Sequence, residues 1–178
     1  MVVPDPQTGA LRLHARALPL LSSKYKSYVH LEPPEVIAIS DSILPTALTV
    51  STRGYVESLA AQVNAAYDAN IFDGCAVLMR RLLEICLIHA FEHCGDGALI
   101  HRPDRRYRDL SELISDAKMS AALSLSPATK ACLDAFRIVG NFSAHKIYYN
   151  AKRADIKRVV LEYRAAIEEL LYKAGLKK

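Results

Sequence analysis

The hydrophobic pattern of the chain changes character near residue 45. From Ser51 onward, apolar positions recur three and four apart, the spacing of one helix face. Tyr55, Leu59, Val63, Ala66 and Tyr67 form one such stripe and predict a helix over residues 52–70. Residues 72–93 are apolar nearly all round, as in a central helix, and Gly95-Asp96-Gly97 ends them. Residues 110–118 read as a short helix. Ser126 then reads as an N-cap with Pro127 at the first helical position, opening a helix that carries Lys130 to His145. Asn150 is a candidate cap for a last helix. There Ile156, Val159, Val160, Tyr163, Ile167, Leu170 and Leu171 repeat at helical spacing until Gly175. Four long helices and a short one predict a mainly α, up-and-down bundle of four to five helices.

Before residue 45 the pattern is different. Leu11, Leu13 and Ala15 alternate with Arg12, His14 and Arg16, a short-strand pattern, and Val36 to Ile39 is a second candidate strand. Six of the eight prolines lie at or before Pro45, and proline breaks helix interiors. Residues 1–50 are therefore expected to be an irregular, Pro-rich arm holding short strands, and residues 51–178 the helical domain.

Composition narrows the function classes. A chain of 178 residues suits one ordinary domain, and 51% hydrophobic against 24% charged residues supports a packed core rather than disorder. The net charge of +4 is mild, and the first 45 residues are balanced, so the helical domain carries it. The N-terminus lacks a basic start followed by a long apolar run. Arg80, Arg81 and Glu84 interrupt the most apolar stretch, Cys75 to Phe91, which argues against a membrane span. A cytoplasmic location with four reduced thiols is the expectation. No glycine-rich phosphate loop, G-x-S-x-G elbow or C-x-x-C pair is present, so no cofactor is implied.

The candidate chemistry concentrates between Lys130 and His145. Asp134, Arg137, Asn141, His145 and Tyr148 recur three and four apart and share one helix face. Leu133, Phe136, Gly140, Ala144 and Ile147 form a neighbouring stripe, the expected core side. Glycine inside a helix costs about 1 kcal/mol relative to alanine, so Gly140 calls for a close helix crossing or a kink. On the preceding long helix, Arg80 and Glu84 are four apart. Glu84 sits among Leu82, Leu83, Ile85, Cys86 and Leu87, where a carboxylate needs a partner. Arg137 is the candidate partner, across the bundle. Two readings follow: a buried Glu84–Arg137 pair with structural Asn and His hydrogen bonds, or an anion site. In the second, Arg137 holds a phosphate and His145 exchanges protons near neutral pH.

Two other clusters carry weaker signals. Cys86, His89 and His93, with Cys94 and His101 nearby, have zinc-ligand chemistry, but their spacing matches no common zinc motif and no metal site is expected. Arg102, Arg105, Arg106 and Arg108 with Tyr107 form a basic loop suited to a phosphate backbone and a stacked base. The alternative is a solvated connector paired with Asp109 and Glu112. Lys152, Arg153, Lys157 and Arg158 make a second basic set.

The pairing of Arg80-Arg81-Leu82-Leu83-Glu84 with Arg137-Ile138-Val139-Gly140-Asn141-Phe142-Ser143-Ala144-His145 resembles a bacterial family found beside restriction and defence proteins. That family lies within the HEPN superfamily (higher eukaryotes and prokaryotes nucleotide-binding). The resemblance covers about residues 52–174. It implies a helical bundle that dimerises, and for many members a metal-independent endoribonuclease with an Arg and a His separated by four to six residues. By resemblance Arg137 and His145 would be the catalytic pair, Asn141 the polar support, and Glu84 the residue orienting Arg137, with Arg80 and Asp134 alongside. His145 would act as general base or acid on the RNA 2′-hydroxyl, and Arg137 would stabilise the charged phosphate. A homodimer, RNA and a defence-system protein are the implied partners. This chain departs from the active pattern: seven residues separate Arg137 from His145, and Ile138 follows the arginine where a polar residue is usual. A non-catalytic dimerisation or protein-interaction bundle is the alternative.

Overall fold

The computed structural model describes residues 2–4, 11–13, 40–104 and 106–177. The chain divides into two compact units, Met1–Val36 and Ile37–Lys178. In the first, β1 (Val2–Pro4) and β2 (Leu11–Leu13) pair antiparallel, with Val2 opposite Leu13 and Pro4 opposite Leu11. The candidate strand Val36 to Ile39 lies outside the described residues, as does Ala15.

The second unit is mainly helical. It contains α1 (Thr46–Thr49), α2 (Gly54–Asp68), α3 (Phe72–His93), α4 (Leu110–Met119), α5 (Pro127–His145) and α6 (Arg153–Lys173). A 3-10 turn, Gly97–Ile100, precedes α4. Local chemistry sets most boundaries. Ser126 Oγ accepts from the Thr129 N–H with Pro127 at the first helical position, as the N-cap pattern requires. Three helices stop the same way, with a residue in left-handed conformation just past the end: Asn70 after α2, Gly95 after α3 and Gly175 after α6. In each, the next residue's N–H reaches back to an orphan carbonyl: Ile71 to Ala66, Asp96 to Phe91 and Leu176 to Leu171. Asn150 does not cap α6. The cap is Lys152, whose N–H donates to the Asp155 carboxylate at 2.9 Å.

Helix α3 is central. It packs against α2, α5 and α6, and most extensively against α5. Contacts at the helix ends fix the directions. Tyr55 at the start of α2 meets His89 near the end of α3, and Ala151, just past α5, donates to Asp73 at the start of α3. Glu169 near the end of α6 accepts from Ser126 at the start of α5. Successive long helices therefore run antiparallel. Leu82, Leu83, Cys86 and Leu87 of α3 are fully buried, together with Phe136 of α5 and Tyr163 and Ile167 of α6. Tyr163 donates to the Met79 carbonyl at 2.8 Å and meets Phe136 edge to face.

The bundle also recruits residues expected to belong to the arm. Ile43 and Leu44 are 1% exposed and sit in the core. Buried Asn64 of α2 holds them: its Oδ1 accepts from both backbone N–H groups at 2.9 Å, and its Nδ2 donates to the Leu44 and Ser40 carbonyls. Arg164 of α6 donates to the carbonyls of Asp41, Ser42 and Ile43. The expected boundary at residue 50 thus falls inside the helical unit, because a polar clamp ties the preceding segment to the bundle.

Candidate functional site

Gly140 places the polar row of α5 against α3. A Cβ at Gly140 would stand 2.5 Å from Arg80 Cβ and 3.0 Å from the Ala76 carbonyl oxygen. The glycine is therefore a close helix crossing, and α5 continues unbroken through it to His145. An unbroken helix rises about 1.5 Å per residue, so Arg137 and His145 stand roughly 12 Å apart along the axis. Arg137 leans back towards Asp134, away from His145, so within one chain the two side chains do not converge.

The expected Glu84–Arg137 pair does not form. Glu84 is half-buried and meets Arg80 on its own helix, with 3.8 Å between Nη1 and Oε2. Arg137 turns instead to Asp134, 3.5 Å from Nε to Oδ1, and Asp134 also accepts from Lys118 of α4 at 2.5 Å. The Lys118 hydrogen bond holds the Asp134 carboxyl below its ordinary range, against a smaller opposing effect of partial burial. Nearer partners at i+3 and i+4 won over the cross-bundle one. Arg80 Nε and Ser143 Oγ are enclosed without a hydrogen-bond partner among the described residues, and enclosed Arg137 Nε has only the long approach of Asp134. The α3–α5 seam therefore has unused polar capacity.

Beyond Gly140 the row opens to solvent. Asn141 is half-buried and His145 exposed. Ile138 and Phe142, one turn apart, are each 39% exposed, and Ile147 and Tyr148 are almost wholly so. Ala144 and Ile147, expected on the core side, are exposed. Gly140 already crosses Ala76, one turn from the start of α3, so α5 has no neighbour left to cover them.

The basic loop is a paired connector. Arg102 bridges Asp109 at 2.7 Å and Glu112 at 2.9 Å, Arg106 meets Asp104, and Arg108 meets Asp116 and Glu112. Arg105 lies outside the described residues. Arg153 of the second basic set stacks on the Tyr67 and Phe72 rings, 4.7 Å and 5.2 Å from their centroids. The cysteine and histidine set is dispersed. Cys86 is buried, which pushes its thiol up to about 12. His93 packs its ring against Gly175, and His89 points to Tyr55. Among the described residues no three His, Cys, Asp or Glu side chains gather as for a metal ion, and no helix is long and apolar enough to cross a membrane.

One group escaped sequence reasoning. Tyr55, placed on the apolar stripe of α2, bonds through its hydroxyl to His89 Nε2, while His89 Nδ1 meets Glu92 Oε2 at 2.9 Å. The i, i+3 spacing of His89 and Glu92 was visible, but the phenol is supplied by helix packing.

Comparison with known proteins finds no family model, no curated protein and no solved structure that matches this chain.

Proposed function

We propose that the protein is a HEPN-like module that acts as a homodimer and binds RNA along the Arg137–Asn141–His145 row. The carrying observation is the unbroken α5 with its exposed apolar flank. Asn141 lies midway between Arg137 and His145. If two α5 helices cross antiparallel at Asn141, Arg137 of each chain comes opposite His145 of its partner. Two composite sites result, each with one guanidinium and one imidazole, the pair that does not converge within a single chain. Ile138 and Phe142 would be covered in the same contact, which supplies the hydrophobic drive for association. The bacterial defence or toxin setting is supported by the resemblance.

The exposed imidazole of His145 favours a second reading, metal-independent cleavage at those composite sites. There His145 would take the 2′-hydroxyl proton and Arg137 would stabilise the phosphate charge. Ile138, in place of a polar residue after Arg137, favours binding without cleavage.

Complementation separates these readings. Arg137→Ala and His145→Ala proteins are each incubated with RNA in EDTA, then mixed. In the mixed dimer one site carries both lesions and the other none. Restored RNA binding, or cleavage, on mixing supports the composite site. Full function of either single variant, or no RNA contact by wild type, overturns it.

A further inference from the structure

A second site lies at the opposite end of α3 from the start of that helix. Tyr55, His89 and Glu92 form a continuous phenol–imidazole–carboxylate chain along a groove of about 380 Å³. The directions of the bonds follow once His89 is taken as the neutral imidazole that a base requires. The Glu92 carboxylate can only accept, so His89 Nδ1 carries the proton and donates to it. Nε2 is then left as the acceptor facing the Tyr55 hydroxyl. Arg53 Nη1 approaches Tyr55 Oη at 3.4 Å, a cation beside the oxygen that would carry charge once the proton leaves. An orienting acid, a base and a hydroxyl in this order is the arrangement that activates a hydroxyl nucleophile.

The geometry points to Tyr55 as an activated phenol nucleophile in a second reactive site, taking small uncharged acyl groups from activated esters. The groove selects the class. Ile85, Ile88 and the Tyr107 ring line it, an apolar contribution suited to an uncharged group. The leaving group must be about as acidic as a phenol, because a phenolate does not efficiently expel an ordinary alkoxide.

In the step, the Tyr55 Oη–acyl carbon bond forms and the bond from that carbon to the leaving oxygen breaks. The phenol proton passes to His89 Nε2 and then to the leaving oxygen. Glu92 is a positioning residue, holding the tautomer that makes Nε2 basic. Water, activated by the same base, then hydrolyses the acyl-tyrosine and returns the phenol.

The probe is 4-nitrophenyl acetate with the full chain. Nitrophenolate release is followed, and acetylation is mapped residue by residue by mass spectrometry. Tyr148, which is fully exposed, is the internal standard. Tyr55 acetylates about 100-fold faster than Tyr148, the scale of general-base assistance. His89→Gln removes that advantage, and Glu92→Gln reduces it in protein whose circular dichroism is unchanged. A purely structural tie between α2 and α3 would leave the Tyr55 to Tyr148 ratio near one in every variant, which overturns the proposal. A burst that survives in Tyr55→Phe would put the nucleophile on His89 and overturn it as well.

Discussion

Gly140 of α5 and Arg80 of α3 touch backbone to side-chain root: a Cβ on the glycine would lie 2.5 Å from Arg80 Cβ. Arg80 Cβ is fixed to its backbone and cannot swing aside, and the Ala76 carbonyl closes the other side at 3.0 Å. Gly140→Ala gains about 1 kcal/mol of helix propensity. Overpacking at a rigid contact costs about 1–3 kcal/mol, so a net loss is expected. Chemical denaturation checks this, and a more stable variant would contradict the close crossing.

Asn64 does in the interior what a neighbouring strand would do elsewhere, satisfying the backbone of Ile43 and Leu44. Asn64→Ala leaves buried N–H groups unpaired, at about 1–3 kcal/mol for each unsatisfied group. The expected result is a marked drop in stability, with faster amide exchange at Ile43 and Leu44. Protection of those two amides in the variant would show that the clamp is not what holds them.

Elements defined by neighbours in sequence were legible before the structure. The bounds of α3 and α5 follow from Gly95, Ser126 and Pro127, whose capping chemistry is local. Gly140 was legible as a crossing point for the same reason, since a glycine there has a cost that packing must offset. Features made by two distant segments were not legible. The Asn64 clamp and the Tyr55–His89 bond need the relative placement of α2. Burial in the apolar run points Glu84 to Arg137, whereas its side chain is 29% exposed and Arg80 is within reach. The stripe on α5 gives its core face but not its covered length: Ala144 and Ile147 share the stripe, yet they lie past the start of α3 and are exposed.

Asp134 gives the protein an acid-sensitive contact. Its pKa is lowered in the folded state, chiefly by the Lys118 hydrogen bond. A depressed folded-state pKa contributes stability above the unfolded value of about 3.9, which is lost as pH falls through the lower folded value. The Asp134 side chain is 47% exposed, so the contribution stays within the 0–1 kcal/mol range of solvated pairs. Asp134→Asn should lower Tm slightly at neutral pH and flatten its fall below about pH 4. Parallel Tm-versus-pH curves for variant and wild type would refute the assignment.

Burial raises the thiols of Cys75 and Cys86 to about 12, so neither forms thiolate at neutral pH. Both should resist an aromatic disulfide reagent in the native state and react on unfolding. Fast modification of Cys86 in folded protein would contradict the packing of α3.

The composite Arg137–His145 site requires the exposed end of α5 to be a surface between two copies of the chain. Light scattering at micromolar concentration tests this most directly. Wild type should have twice the 19.7 kDa chain mass, and Phe142→Asp, which places a carboxylate in the apolar flank, should have the single-chain mass with unchanged helicity. A wild-type protein with the mass of one chain would contradict the dimer and the composite Arg137–His145 site with it.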